Sequence, residues 1–425
     1  MNASYAAAIV VPLCREELGF LAGYEAAFRA APGRVLLIAV VNGAVGASAE
    51  THAKNATLLA ELAHHFPGAR LEAEGVVASA WLARAEHFDL LCLDRASEGR
   101  RLPDSEGVGL ARKLGSDLAA ALCARARIAC KYVGCSDADA ILPHDYFARL
   151  TAANAGASAL LWPFQHTPSG ESAIDRATTL YEISLRYYVL GLAAAGSPYA
   201  YQSIGSSLAF EATAYASVRG FPRRQAAEDF YLLDKLAKVA PLARLEGGPI
   251  ELRARASDRV PFGTGRRTRE IALEVARGEG FELFSPRLFG ALGTVIAGLD
   301  AFAATGDVGV LRARVTSSAG ELAPAVHAVL EHSKTFAALE HAAQQAQVGP
   351  VLARRVHTWF DALRTLRFVH QLRDACSPSV PWLEALEAAP FAREAVERES
   401  EPSAICAHLA RIEAALPPLV GPTAR

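Results

Sequence analysis

Two aspartates separated by a single small residue, Asp137 and Asp139, stand directly after a short apolar run that begins at Tyr132. If that run is a strand, its alternation places both carboxylates on one side of the chain where the strand ends. Two anionic groups so close together repel each other unless a cation lies between them. Oxygen ligands favour Mg²⁺ or Mn²⁺, which keep positions open for phosphate oxygens. An ordinary polar turn is the alternative, because Asp is common in turns.

The segments before these aspartates alternate between strand and helix patterns. Such alternation requires crossover connections, which produce a parallel sheet with ligands gathered at the carboxyl ends of its strands. Asn42, Asp94 and the Asp137/Asp139 pair all fall at such ends. The predicted strands are Ala7–Pro12, Arg34–Gly43 and Phe88–Arg95, and the predicted helices are Glu16–Ala31 and Ala53–Phe66.

A glycine-containing segment, Glu106–Ala119, opens a further predicted helix that carries Arg112 and Lys113. Glycines ahead of a helix let a phosphate approach backbone N–H groups at the positive end of the helix dipole, where basic side chains neutralise its charge. The alternative is an amphipathic helix with a solvated basic pair. The spacing matches neither a Walker loop nor the dinucleotide G-x-G-x-x-G pattern, which disfavours a nucleotide-dependent dehydrogenase.

The composition excludes several classes of protein. The 425 residues are 52% apolar and 21% charged, with a formal charge of −2, so nothing indicates disorder, a nucleic-acid surface or a polybasic membrane anchor. Seven cysteines without a C-x-x-C pair indicate reduced thiols rather than disulfides or a zinc site. No signal peptide and no apolar stretch of membrane-spanning length are found. We therefore expect a soluble, cytoplasmic protein, or one bound peripherally at the cytoplasmic membrane face.

The ordered set of motifs resembles a family 2 glycosyltransferase with the GT-A fold. A strand ends at Pro12 with acidic residues just after it, a second strand ends at a polar turn, the pattern G-x-x-x-A-R-x-x-G opens a helix, and a strand ends in Asp-x-Asp. The segment Gln202–Leu236 is similar to that family's acceptor side, where a Gly-Phe turn precedes an acidic pair, here Glu228 and Asp229. The resemblance covers roughly residues 5 to 270. It implies an α/β fold with a Rossmann-type, mostly parallel sheet flanked by helices.

The resemblance also implies site residues. In that family the two aspartates bind the ribose and the divalent cation, Mn²⁺ or Mg²⁺, that carries the diphosphate of the donor, with Asp139 as the metal ligand before Asp137. Asp229 corresponds to the general base that takes the proton of the acceptor hydroxyl, and Glu228 is its catalytic neighbour. Capping of the following helix is the alternative for this acidic pair. By position, the expected contacts of the nucleotide sugar are Pro12, Glu16, Asn42, Arg112, Lys113, Asp137 and Arg259.

Two departures from the family pattern matter. Many relatives carry an aspartate at the end of the second strand, where Asn42 stands here, so an amide would meet the base edge. The Q-x-x-R-W sequence of processive synthases is missing, which favours a non-processive enzyme. Its place is taken by Arg253–Arg267, whose five arginines suit a flap that holds phosphate oxygens through Arg259, or else a solvated basic linker.

Two further residues are candidates for contact with the acceptor. His166 ends the apolar run Ala159–His166 and could contact the acceptor or the metal, although a lone histidine there is more often packed or solvated. Tyr201 belongs to an aromatic cluster with Tyr199 that could stack on a sugar ring or simply form core.

The chain beyond about Thr268 has helical patterns only. We predict a catalytic domain over residues 1–268 and an all-α domain over residues 269–425, whose clearest helix is Val351–Arg373. That domain could cover the acceptor site, bind a partner or mediate self-association into a homo-oligomer.

The leading hypothesis is a metal-dependent, inverting, non-processive glycosyltransferase that moves a sugar from a nucleoside diphosphate sugar to an unidentified hydroxyl. A nucleotidyltransferase is disfavoured, because Pro12–Glu17 stands where its glycine-rich loop is needed. A catalytically silent protein of the same fold, which holds a nucleotide sugar or a partner, is the alternative from another class.

Overall fold

The computed structural model describes residues 4–71, 79–153, 156–254 and 264–422. The chain forms two compact units. The first unit comprises Met1–Glu171, Ser203–Leu236 and Leu242–Arg267, and the second comprises Ser172–Gln202, Ala237–Pro241 and Thr268–Arg425.

The strands and helices are numbered along the whole chain. The strands are β1 Ala7–Leu13, β2 Val35–Asn42, β3 Gly68–Arg70, β4 Ala80–Arg84, β5 Phe88–Arg95, β6 Tyr132–Cys135, β7 Ala140–Ile141, β8 Ala159–Leu161, β9 Phe164–Thr167, β10 Leu208–Glu211, β11 Leu242–Arg244, β12 Ile250–Arg253, β13 Glu282–Leu283 and β14 Val380–Pro381. The helices are α1 Ala22–Arg29, α2 Ala49–His65, α3 Gly107–Ala124, α4 Tyr146–Ala152, α5 Ser172–Ala194, α6 Ala212–Ser217, α7 Glu228–Ala237, α8 Thr264–Ala276, α9 Pro286–Thr305, α10 Val308–Ser318, α11 Ala323–His332, α12 Thr335–Gln345, α13 Pro350–Trp359, α14 Ala362–Cys376, α15 Trp382–Ala388, α16 Arg393–Arg398 and α17 Pro402–Ala414.

The first unit is built on a nine-stranded sheet in the order β11-β8-β10-β6-β1-β2-β5-β4-β3. Only β10 and β4 run antiparallel to their neighbours in the parallel set. Every residue of β1 and β2 is buried, which explains their near-continuous apolar sequences. The hairpin of β3 and β4 beside β5 was not anticipated from the sequence. A small second sheet has the order β7-β12-β9.

Helices cover both faces of the large sheet. On one face α3 lies so close that a Cβ on its Gly115 would sit 2.5 Å from Val10 Cγ1. On the other face, by strand alternation and register, Phe88 of β5 stacks on Phe28 of α1 with ring centroids 4.4 Å apart. Phe28 in turn stacks on Phe147 of α4 at 5.6 Å. The three layers confirm the predicted α/β class.

The neighbours β1 and β6 separate at a topological switch point. They pair only as far as Val10 and Cys135, after which Ser136 N donates to Val10 O at 3.1 Å. Pro12 is two residues beyond Val10, so its backbone faces the same side, where β6 has already ended. Its missing N–H therefore costs no ladder bond, and a proline is tolerated in a central strand. The gap between diverging parallel strands is where ligands bind in open α/β sheets.

The second unit is helical, apart from the two-residue strands β13 and β14, which pair antiparallel. One of its apolar cores surrounds α9 and α10–α14, and the other joins α5, α8 and α15–α17. Helix α9 is the one helix, among those described, that is long and apolar enough to cross a membrane, and 56% of its apolar window is buried within the fold.

Two boundaries differ from the predictions for this part of the chain. The predicted helix Val351–Arg373 is two helices, because Asp361 accepts a hydrogen bond from Arg364 N at 3.0 Å and caps the start of α14. Helix α5 packs in the second unit although it lies within the predicted domain 1–268. The amphipathic pattern of a helix does not specify which core receives its apolar face.

Candidate functional site

The turn that carries Asp137 and Asp139 connects the two sheets of the first unit. Ala140 N donates to Asp137 O at 3.1 Å, and Tyr24 Oη of α1 donates to the same carbonyl at 2.6 Å. Asp139 O accepts from Arg253 N at 3.3 Å, at the end of β12. Three hydrogen bonds to backbone carbonyls therefore fix the turn, while the side chains of Asp137 and Asp139 both stay partly exposed.

Arg112 of α3 joins the two acidic motifs. It is 3% exposed, and its Nη2 donates to Asp137 Oδ1 at 2.6 Å while its Nε donates to Glu228 Oε1 at 2.8 Å. Its Nη1 donates to Gly205 O at 3.0 Å. A single buried guanidinium thus holds carboxylates that lie 91 positions apart in the chain (137 to 228). The geometry corrects the predicted role of Arg112, because a guanidinium enclosed by these groups has no face left for a phosphate.

The close approach of Arg112 to the segment before β10 requires a glycine. A Cβ on Gly205 would lie 2.6 Å from Arg112 Nη2. Gly109, one turn before Arg112 on α3, similarly meets the loop that precedes Glu228, and its N–H donates to Arg224 O at 3.0 Å. The predicted phosphate-binding glycines are therefore covered by the protein's own backbone. Lys113 is also engaged elsewhere, with Asp117 at 3.0 Å and Arg219 O at 2.9 Å.

Glu228 and Asp229 begin α7 after a strained residue. Ala227 has φ +60°, in the left-handed region that is unfavourable for a residue with a Cβ. Glu228 is buried at 4% exposure against Arg112, whereas Asp229 is partly exposed and its Oδ1 accepts from Phe230 N at 2.7 Å. The two neighbours thus have different environments. Glu228 is too enclosed to reach an acceptor, which corrects its predicted catalytic role to one of holding Arg112.

The ionisation of this cluster follows from burial and from its charges. Burial raises the pKa of Glu228 to about 7, with Asp229 adding to the rise and Arg112 opposing it. Burial also raises the pKa of Asp229, against the opposing effects of Arg112 and the Phe230 N–H. Burial alone would lower the pKa of Arg112, but Asp137 and Glu228 outweigh it and raise that pKa. Arg112 therefore stays charged, and Asp229 has the raised basicity that a proton acceptor needs.

The carboxyl ends of β1 and β2 are fastened to each other. Asn42 is 7% exposed, and its amide, oriented by its neighbours, donates to Leu13 O and Val40 O at 3.2 Å. This internal bonding corrects the expected recognition of a base edge by Asn42. Pro12 is buried, whereas Glu16 is partly exposed in the connection that follows β1. Among the predicted donor contacts on this side, Glu16 therefore keeps access to solvent.

Two of the remaining predicted residues, His166 and Tyr201, have aromatic neighbours close by. His166 is partly buried on β9, and its ring meets Phe164 edge-on at 5.8 Å. It lies two strands from Ala140 in the small sheet, a separation of roughly 10 Å. Tyr201 belongs to the second unit, where it is buried beside Tyr199 with ring centroids 6.4 Å apart. Arg259 lies outside the described residues.

Two features of this unit escaped the reading of the sequence. The burial of Arg112 has a signal, since it lies in a stripe of small residues on α3 with Gly109, Gly115 and Ser116, which predicts close packing against the sheet. The turn after β5 has a weaker signal, which is the acidic residue Asp94 at the predicted end of that strand. There Asp94 accepts from Ala96 N, Ser97 N and Arg100, beside a groove of about 460 Å³ that does not include the acidic pairs.

The carboxylate oxygens of the acidic turn suit a hard cation that would arrive together with a substrate. Among the residues that the structure describes, no group of three or more His, Cys, Asp or Glu side chains could hold a metal ion. Mg²⁺ commonly uses only one or two carboxylates and completes its shell with water and phosphate oxygens. Asp139 and Asp137 fit that requirement, and Arg112 balances only part of the negative charge of the cluster.

Comparisons with known proteins give little beyond this geometry. No family model matches the chain, and no curated protein matches it. Two crystal structures of residues 1–349 of TarS from S. aureus are similar, one of them in complex with UDP-GlcNAc. Each is 11% identical to this chain; the TM-scores are 0.37 and 0.34, with 82% of this chain covered and 93% and 92% of TarS. A likeness at this level does not by itself establish a shared activity.

Proposed function

We propose that the protein is a metal-dependent, inverting and non-processive glycosyltransferase that moves a sugar from a nucleoside diphosphate sugar to a hydroxyl acceptor. The observation that carries the proposal is the pair of ion pairs that Arg112 forms with Asp137 and Glu228. They bring an Asp-x-Asp turn at a topological switch point together with a carboxylate pair at the start of a helix. Donor binding and deprotonation of the acceptor need two such acidic groups side by side.

The chain's own residues have distinct tasks in this reaction. Asp229 accepts the proton of the acceptor hydroxyl, whose oxygen forms a bond to the anomeric carbon as the bond from that carbon to the diphosphate breaks. Glu228 holds Arg112, and Arg112 holds Asp137. Asp139, with Asp137, would bind the divalent cation, which supplies charge stabilisation of the departing diphosphate. A single displacement of this kind inverts the anomeric configuration.

We also propose that the protein functions in the cytoplasm, which is a reducing compartment. The odd number of cysteines, seven, and the lack of a C-x-x-C pair in the sequence support it.

The test compares two variants with a matched control. Asp139→Ala is expected to lose Mn²⁺-dependent binding of the donor, measured by calorimetry with UDP-GlcNAc, UDP-glucose and GDP-mannose in turn. Asp229→Asn is expected to keep donor affinity within about threefold and to lose about 10²–10⁴-fold in turnover, the usual contribution of a general base. Asp374→Asn, which removes a charge from an exposed site of the second unit, is expected to change neither.

Turnover is followed as release of nucleoside diphosphate, since a transferase without acceptor hydrolyses its donor slowly. Full turnover in Asp229→Asn would contradict the base assignment. A wild-type protein that binds a donor with Mn²⁺ and never releases the nucleoside diphosphate would favour the catalytically silent binding protein instead.

A further inference from the structure

Arg15, two residues after β1, has an unusual backbone conformation. Its φ is +59°, in the left-handed region where the Cβ of an L-residue crowds the following carbonyl. In the part of the chain that the structure describes, only four other non-glycine residues share this conformation, and one of them is Ala227 beside the acidic pair. Such strain persists only where neighbouring groups hold the backbone in place.

Asn55 of α2 is the neighbour that holds Arg15. It is 0% exposed, and its Oδ1 accepts a hydrogen bond from Arg15 N at 2.8 Å. Its Nδ2 donates to Asn42 O at 2.9 Å, at the end of β2. Both partners are backbone groups, so one side-chain amide ties the carboxyl ends of two parallel strands. The amide is matched to this task because one end must accept while the other donates.

The connection that Asn55 holds leads directly to the Asp137 turn. Beyond Arg15, the chain enters α1, where Gly23 O accepts from Leu142 N at 2.8 Å and Tyr24 Oη donates to Asp137 O at 2.6 Å. The segment from Arg15 to Tyr24 is therefore anchored at both of its ends. One anchor is the acidic turn itself, and the other is Asn55.

We propose that Asn55 is a positioning residue for donor binding. It keeps Arg15 in the left-handed conformation, so that the connection Cys14–Glu17 is already in place at the switch point when the donor binds. The proposal rests on the proposed function, because it assigns the donor to this gap. Asn55 acts through the backbone groups of Arg15 and Asn42 rather than by contact with the substrate.

The first experiment reads the backbone directly. Hydrogen exchange of the Arg15 amide is expected to be at least tenfold faster in Asn55→Ala than in the wild type, because the acceptor of that N–H is removed. Asn55→Asp retains an oxygen for the Arg15 N–H and is expected to keep much of the protection. If Asn55→Ala fails to fold, Asn55→Asp provides the comparison, because it keeps an acceptor for the Arg15 N–H and replaces the donor to Asn42 O with an anionic oxygen. Unchanged exchange in both variants would overturn the proposal.

The second experiment measures KM and kcat for the donor, with UDP-GlcNAc, UDP-glucose and GDP-mannose tested in turn in the presence of Mn²⁺. Asn55→Ala is expected to raise KM for the accepted donor about tenfold and to change kcat less than threefold. A residue that only stabilises the fold would instead lower the melting temperature without this separation of KM from kcat.

A double-variant comparison isolates the backbone effect. Arg15→Gly and Arg15→Ala both remove the guanidinium, but only glycine adopts a positive φ freely. The KM for the donor is therefore expected to be lower with glycine than with alanine at position 15. This ratio of KM values should be several-fold larger in the Asn55→Ala protein than in the wild type. An equal ratio of KM between Arg15→Ala and Arg15→Gly, with and without Asn55, would overturn the proposal. If the wild type binds no donor, the proposed function fails, while hydrogen exchange still tests the Asn55 contact.

Discussion

Each of the two units contains a buried arginine between two carboxylates. In the first unit Arg112 holds Asp137 and Glu228. In the second, Arg186 of α5 binds Glu182 one turn earlier at 2.6 Å and Glu413 of α17 at 2.8 Å. In both clusters burial lowers the arginine pKa and the carboxylates outweigh it. The chemistry of the two clusters is therefore nearly the same.

The clusters differ in what surrounds them. Arg186 and its two carboxylate partners are at most 10% exposed and lie between helices of one apolar core. Around Arg112, the Asp137 side chain is 34% exposed, and Asp139 and Asp229 stand beside the cluster with access to solvent. A buried ion cluster is thus not evidence of a functional site by itself. Its open side, with further carboxylates there, distinguishes the first cluster from the second.

Removal of each arginine should give the largest effects. Arg112→Leu and Arg186→Leu are each expected to lower the free energy of unfolding by about 3–5 kcal/mol, because each leaves at least one buried carboxylate without a cation. Turnover of the folded protein, measured at low temperature, should fall at least a hundredfold only in Arg112→Leu. Equal turnover losses in the two variants would mean that the clusters do not differ in function.

Replacement of a whole cluster sharpens the same contrast. Arg186→Met combined with Glu182→Leu and Glu413→Leu should regain most of the stability lost in Arg186→Leu, since apolar residues of similar volume can replace a buried ion cluster. Urea denaturation measures this recovery, and activity should remain throughout. A triple variant no more stable than Arg186→Leu would show that the cluster specifies the packing of α5 on α17.

The pH dependence of stability should reveal Glu228. Its folded pKa of about 7 is above the ordinary value of 4.5, so the folded state binds this proton more tightly than the unfolded state. The stabilisation that this proton gives to the folded state is therefore fully present below about pH 4.5 and is lost as the pH rises to about 7. At about 1.4 kcal/mol per tenfold change in proton affinity, the loss amounts to roughly 3 kcal/mol.

Glu228→Gln should lack this loss between pH 4.5 and 7, and the difference between its urea-denaturation curves and those of the wild type isolates the carboxyl group. Parallel curves for the two proteins across that range would show that the pKa of Glu228 is not raised.

Two buried tyrosines provide a finer comparison. Tyr24 Oη donates to Asp137 O at 2.6 Å in the first unit, and Tyr187 Oη donates to Phe284 O at 2.8 Å in the second. Each change to Phe should cost about 1 kcal/mol of stability, measured by urea denaturation. Only Tyr24→Phe should also raise KM for the donor, because it loosens the acidic turn. An unchanged KM in Tyr24→Phe would show that the hydrogen bond from α1 to the acidic turn does not affect donor binding.

Relief of backbone strain should give the smallest effects. Ala227 and Lys334 both have positive φ, at +60° and +56°. Ala227→Gly and Lys334→Gly should each raise the free energy of unfolding by up to about 1 kcal/mol, measured from the shift in melting temperature. Only Ala227→Gly should lower kcat, since it frees the backbone that leads to Asp229. Loss of stability in both variants would mean that neither conformation is strained.

The sequence by itself determined the α/β class, the positions of the central strands and the helical character of the C-terminal part. These follow from local periodicity, as in β2, where every residue is apolar up to the terminal Asn42. It also predicted a site at Asp137, Asp139, Glu228 and Asp229, because short spacings of acidic residues at strand and helix ends are visible without coordinates, and that site stays a prediction.

The tertiary structure alone decided which of these groups meet and what each can do. Arg112 was expected on a phosphate and is instead enclosed by two carboxylates, and Asn42 was expected on a base and is bonded to its own strands. Asn55 attracted no attention in the sequence, because a polar residue on a helix gives no sign of its distant backbone partners. Which distant groups meet depends on how separate segments pack, and no local pattern encodes those partners.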